Sequence, residues 1–113
     1  MLKVSVPQQE ATDRRYCEEV TVGFRNTGGT AVGSGTVTFG THVIGALGVD
    51  WATVESTEPL PVPIRAGERV EKTWTVCVDR FYEGMLALGA HLEHDVTVKY
   101  PGGEPVFVPR PGA

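Results

Sequence analysis

Short runs of alternating apolar and polar residues fill most of this chain, and glycine or proline closes nearly every one. In residues 18–25, Val20, Val22 and Phe24 share one face while Glu19, Thr21 and Gly23 share the other, the two-residue period of a half-buried strand. Val37 and Phe39 alternate in the same way with Thr36 and Thr38. Further on, Val70, Trp74, Val76 and Val78 alternate with Glu71, Thr73, Thr75 and Cys77, so Trp74 is a core candidate. The pattern predicts strands over 2–6, 18–25, 35–44, 51–55, 69–79, 85–93, 95–100 and 104–108. Strands this short and this numerous imply an all-β chain folded as two packed antiparallel sheets.

The breaks between runs carry their own chemistry. Asn26, Thr27, Gly28 and Gly29 supply the conformations a tight turn needs. Pro59, Pro61 and Pro63 each remove a ladder donor, so residues 58–63 are expected as an extended edge or crossover, leading into a turn over 64–68. Pro101, Gly102 and Gly103 read as a hairpin turn. Residues 79–84 are expected to form at most a helical turn at a corner between strands. The whole chain, 1–113, reads as one domain with a C-terminal tail that frays from about residue 109.

Composition narrows the class. With 113 residues, 41% hydrophobic and 21% charged, the chain has the size and balance of one soluble globular domain. No apolar run approaches the roughly 18 residues of a spanning helix. The net charge is −4 and the basic residues are scattered apart from Arg14 and Arg15, so no basic patch suits nucleic acid. The opening Met1-Leu2-Lys3-Val4 is strand-like and lacks a signal-peptide core, which fits either an intracellular chain or a mature secreted domain carrying an added Met.

The run Val20-Thr21-Val22-Gly23-Phe24-Arg25-Asn26-Thr27-Gly28 is followed by a Thr-rich strand, then by Ile64-Arg65-Ala66-Gly67-Glu68 and another long strand. From Glu18 to Val78 this succession resembles bacterial secreted immunoglobulin-like accessory modules, among them adhesion-related surface domains and cellulose-binding β-sandwiches. The resemblance implies an immunoglobulin-like antiparallel β-sandwich of about seven to eight strands. It also implies a non-catalytic interaction or spacer module of an exported bacterial protein, or alternatively a carbohydrate-binding module that uses exposed aromatic residues. Cellulose-binding sandwiches present a row of exposed tryptophans; with Trp74 in the core, Trp51 is the one that remains here.

In such a sandwich the strands that carry Cys17 and Cys77 are antiparallel neighbours in one sheet. Setting Cys17 opposite Cys77 brings Glu19 opposite Thr75 and Val20 opposite Trp74, which keeps apolar residues together on the core side. Both cysteines then lie on the outer face, close enough for a disulfide. Closing a loop of about 60 residues contributes on the order of 4 kcal/mol in the chain-entropy model. A bridge implies an oxidising compartment and a secreted or cell-surface protein; two reduced thiols would suit the cytoplasm instead.

Candidate chemistry is sparse. His91, Glu93 and Asp95 share one face of a strand and His94 the other, but residues along one strand face stand about 6–7 Å apart and splay around an ion. The bland alternative is an exposed polar face or a bend near Glu93 and His94; no metal and no cofactor is expected. Ser5, Ser34 and Ser56 lack a nucleophile elbow, no carboxylate pair is singled out by spacing, and no phosphate loop or dinucleotide fingerprint occurs, so no enzyme activity is expected. Trp51 and Tyr82 are candidate ligand-binding rings that could stack on a sugar or a partner, or instead cap the core end and brace the corner after the Trp74 strand. The apolar stretch 43–49 is expected to be buried under the proline-rich crossover, with a partner surface as the alternative. Partners are therefore a protein or a cell-surface polysaccharide, with a monomer or a weak homodimer through an exposed edge near Val4 or Val106.

Overall fold

The structure is a computed structural model that describes residues 1–111. Among them eight strands build two four-stranded antiparallel sheets. The first sheet centres on β3 (Cys17–Asn26), which pairs on one side with β6 (Arg69–Cys77) and on the other with β1 (Leu2–Val4) and β2 (Gln8–Ala11). The second sheet runs β5 (Asp50–Pro59), β4 (Thr36–Ile44), β7 (His91–Lys99), β8 (Val106–Val108). The all-β sandwich implied by the alternation is the observed architecture.

Two short strands, rather than one long one, share the edge of β3 opposite β6 because Pro7 has no N–H to give and interrupts the run. Ser5 marks the gap, its N–H donating to the Gly23 carbonyl at 2.9 Å and its hydroxyl accepting from the Gly23 N–H at 2.8 Å. All four residues of β2, Gln-Gln-Glu-Ala, are exposed, so this strand shows no alternation and was not expected from the pattern. The opposite correction falls on 85–93. Its first part is a helix, α1 (Glu83–Ala87), entered through a 3-10 turn over Arg80–Tyr82. Met85, Leu86 and Ala87 are good helix formers, and the Asp79 carboxylate accepts from the Phe81 N–H at 2.8 Å to start the turn. Beyond it β7 runs unbroken through Glu93 and His94, with no bend.

Cys17 faces Cys77, Glu19 faces Thr75 and Val20 faces Trp74, and the two cysteines form a disulfide. Cys17 is buried and Cys77 exposed, because the loop over 12–16 turns back on Cys17, whose N–H donates to the Arg14 carbonyl at 3.1 Å.

The core between the sheets has two parts. The larger holds Val20, Val22, Phe24, Val37, Phe39 and Trp74, with Phe24 and Phe39 edge-on to the Trp74 ring at 6.2 and 5.3 Å. The smaller, near the β4–β5 hairpin, holds Val43, Val78, Leu86 and Leu92. A polar layer of buried Thr41 and His94 with half-buried Glu18 bridges the two sheets. The Thr41 hydroxyl lies 3.0 Å from His94 Nδ1, and Glu18 Oε1 lies 2.8 Å from His94 Nε2. At the far end of β5, Pro59 closes the edge strand opposite Thr36, and Leu60 enters the core. Of the tail expected to fray, Arg110 is half-buried with its guanidinium on Glu93, and Gly112 and Ala113 lie outside the described residues.

Candidate interaction surface

Three connections converge at the end of the sandwich that holds the smaller core. The β4–β5 hairpin leaves its sheet after Ile44 and the β6–β7 connection enters the same sheet at His91, and these two residues are paired. Ala46 Cβ lies 3.6 Å from where a Cβ on Gly89 would stand, so the two connections touch. The loop over 12–16 joins them through the Val78 N–H, which donates to the Tyr16 carbonyl at 2.8 Å.

Local sequence dictates what these connections expose. The hairpin closes with Gly45 N–H on the Val49 carbonyl at 2.8 Å, and Gly48 takes a φ of +83° that favours glycine. That turn leaves the Leu47 side chain 94% exposed. In α1, Leu86 faces the core, while Leu88 follows the helix end and stands 86% exposed before Gly89 turns the chain at φ +108°. Phe81 projects from the 3-10 turn at 81% exposure. Three large apolar side chains thus stand in water at one end of the molecule, where burial of each against a partner would be favourable by about 1.5–3 kcal/mol.

Residues 43–49 are not under the proline-rich segment, which lies at the opposite end of β5. Val43 and Ile44 are buried within the strand, and Leu47 and Val49 are exposed at the turn. Trp51 is the extra residue of a β-bulge: Val43 pairs with Ala52 and Ile44 with Asp50, leaving Trp51 unopposed. Its ring lies over Gly45, where any Cβ would collide with the indole nitrogen, and it is 63% exposed. Tyr82 packs against the smaller core, half-buried, and stands edge-on to Phe81 at 5.4 Å. Trp51 is thus the open ring of the two, and Phe81 is the exposed aromatic beside Tyr82.

The outer face of the second sheet carries a separate cluster. His42 Nδ1 lies 2.7 Å from Asp50 Oδ2, and its Nε2 lies 2.6 Å from Asp95 Oδ2. Thr53 Oγ1 also lies 3.0 Å from Nδ1. Asp95 reaches across because Gly40, its register partner, has no side chain; a Cβ there would meet the carboxylate at 2.5 Å. Burial alone would lower the pKa of His42, but the hydrogen bonds to Asp95 and Asp50 outweigh it and hold the ring above its ordinary value of 6.5. Beside it, Glu93 bonds His91 Nε2 at 2.6 Å and the Arg110 guanidinium. The His91 bond first, and the Arg110 bond after it, hold the Glu93 carboxyl below its ordinary value against the opposing effect of burial.

The sequence matches no protein-family model and no curated protein. Among solved structures, the chain is similar to the crystal structure of a Bordetella pertussis protein assigned as ApaA, at 15% identity over 97% of this chain and 88% of that one, with a TM-score of 0.48.

His91, Glu93 and Asp95 do share the outer face, with His94 turned inward, but their side chains are committed to one another, to His42 and to Arg110. Among the described residues no three His, Cys, Asp or Glu side chains form a group that could hold a metal ion. Thr41, His94 and Glu18 have the composition of a hydroxyl-imidazole-carboxylate relay, but Thr41 and His94 are fully buried between the sheets. Among the described residues no helix is long and apolar enough to cross a membrane. Leu47 belongs to the 43–49 stretch whose alternative was a partner surface, whereas nothing in the sequence singled out Phe81 or Leu88 as surface residues. Hydropathy alone cannot separate an apolar residue at an exposed turn from one that caps the core, although Gly48 and Gly89 mark where each turn falls.

Proposed function

We propose that this chain is an interaction or spacer module of an exported bacterial protein, of the immunoglobulin-like accessory type, that meets a protein partner through the apolar end. The observation that carries this reading is the exposure of Leu47, Phe81 and Leu88 on connections that touch one another. A lone exposed leucine is ordinary on a protein surface; several on neighbouring loops mark a contact site. The Cys17–Cys77 bridge supports a life in an oxidising compartment, since such bonds are rare in reducing cytoplasm. No catalytic step is assigned to the chain. The test places a photo-crosslinking residue at position 47, 81 or 88 in cells of the source organism, with position 107 on β8 as the control. Discrete adducts to one protein from the first three and none from 107 are expected. A uniform lack of adducts leaves a spacer role without a contact at this end.

A carbohydrate-binding role is favoured by one specific observation, the open Trp51 ring beside the polar outer face. Retention of the protein on insoluble polysaccharides that is lost in Trp51→Ala would establish it.

A further inference from the structure

A histidine whose two ring nitrogens both face carboxylates must donate twice, because an ionised carboxylate only accepts. His42 is in that position between Asp50 and Asp95. Removing one proton leaves a nitrogen lone pair facing a carboxylate oxygen, and one of the two contacts must open.

The surroundings decide which. Nε2 has Asp95 alone, and that carboxylate is the more enclosed of the two, seated over Gly40 with 19% of its side chain exposed. Nδ1 has a second neighbour in the Thr53 hydroxyl, which can turn its proton towards a vacated lone pair. Asp50 is the more exposed carboxylate at 34%, and water can solvate it when it leaves. The neutral ring therefore keeps its proton on Nε2 for Asp95, accepts from Thr53 at Nδ1, and releases Asp50.

Asp50 begins β5 at the bulge, next to Trp51 and directly after the turn over 45–49. We infer that His42 is a pH-operated latch that fastens the root of the β4–β5 hairpin through Asp50 when protonated and frees it when neutral. The other charged groups that face His42 do not compete for Nδ1. Glu93, opposite it on β7, is bonded to His91 and Arg110, and Glu55 on β5 lies opposite Gly40. The hairpin's response is independent of whether the apolar end engages a partner, so the latch and the docking role fail separately.

The test follows His42 ring resonances, the Trp51 indole N–H and the backbone amides of 46–49 by NMR between pH 5 and 9, on the oxidised protein. The hairpin signals are expected to move with the midpoint of the His42 titration, above 6.5, and amide exchange over 46–49 to quicken several-fold above it. In Asp50→Asn the amide can donate to a neutral Nδ1, so the hairpin step disappears and the His42 midpoint falls. In Thr53→Val, which changes no charge, the neutral ring loses its replacement donor and the midpoint rises. His91→Gln leaves the step in place. Hairpin signals that stay still while His42 titrates, or a step that survives in Asp50→Asn, would overturn the latch.

Discussion

His94 and His42 each bond through both ring nitrogens, but His94 meets a hydroxyl and a carboxylate inside the sandwich, whereas His42 meets two carboxylates on its outer face. A single ring proton is enough for the contacts of His94, because a carboxylate only accepts, so Nε2 can donate to Glu18, and the Thr41 hydroxyl can donate to Nδ1. His42 needs two. Inside, where unsatisfied polar groups are costly, every side-chain nitrogen and oxygen has a partner among the described residues. Outside, water stands ready to replace a departing carboxylate, so a bond that depends on protonation is tolerable. The same residue type ties the two sheets together in one place and joins two carboxylates on the surface in the other, and its partners and exposure make the difference.

The comparison breaks hardest at its interior member. His94→Ala leaves a cavity and strands Glu18 and Thr41 between the two core clusters, so a loss of about 3–5 kcal/mol is expected in denaturant unfolding. His42→Ala, on the outer face, is expected to cost about 1 kcal/mol by the same measurement, because solvent relieves the two carboxylates. Equal losses at the two positions would erase the distinction.

Gly40→Ala tests the outer cluster without touching a charge. Its new methyl occupies the place of the Asp95 carboxylate, and an effect of about 1 kcal/mol or more is expected together with a fall in the His42 midpoint. pH gives a finer separation. His42 titrates above its ordinary 6.5 in the folded protein, so its stabilisation is complete below that value and lost as pH rises through the raised folded value. Glu93 is held below its ordinary 4.5, so its share is present above that value and lost as pH falls through the depressed one. Melting temperature against pH is therefore expected to have shoulders on both sides, the alkaline one absent in His42→Gln and the acid one reduced in Arg110→Ala. The smallest effect is expected at the apolar end, where Phe81→Ser changes stability by no more than about 0.5 kcal/mol while abolishing crosslinks to a partner.

Much of the frame could be read along the chain. Val20, Val22 and Phe24 on one side of β3 and Trp74 and Val76 along β6, with Val78 just past its end, announce their faces because a strand alternates whatever it packs against. β2 could not be read, since all of its side chains are in water and its place comes only from backbone pairing with β3. Residues 85–87 could not be separated from a strand because leucine and methionine serve either element, and the capping by Asp79 acts through one local hydrogen bond. Of the candidate surface, Trp51 was legible as an aromatic beside a turn, but Leu47, Phe81 and Leu88 gained meaning only when two connections far apart in sequence met at one end.

The sequence by itself determined the all-β class and the face of each long strand, because these follow from local alternation; that the strands of Cys17 and Cys77 are neighbours was implied by the resemblance to immunoglobulin-like sandwiches, and the apolar residues match once the two cysteines are set opposite each other. Only the tertiary structure decided that Glu18, Thr41 and His94 meet inside, that Asp50 and Asp95 grip the same imidazole, and that three apolar side chains share one end. Each of those meetings joins residues from different strands or loops, and their chemistry depends on distance and exposure that no single stretch of sequence contains.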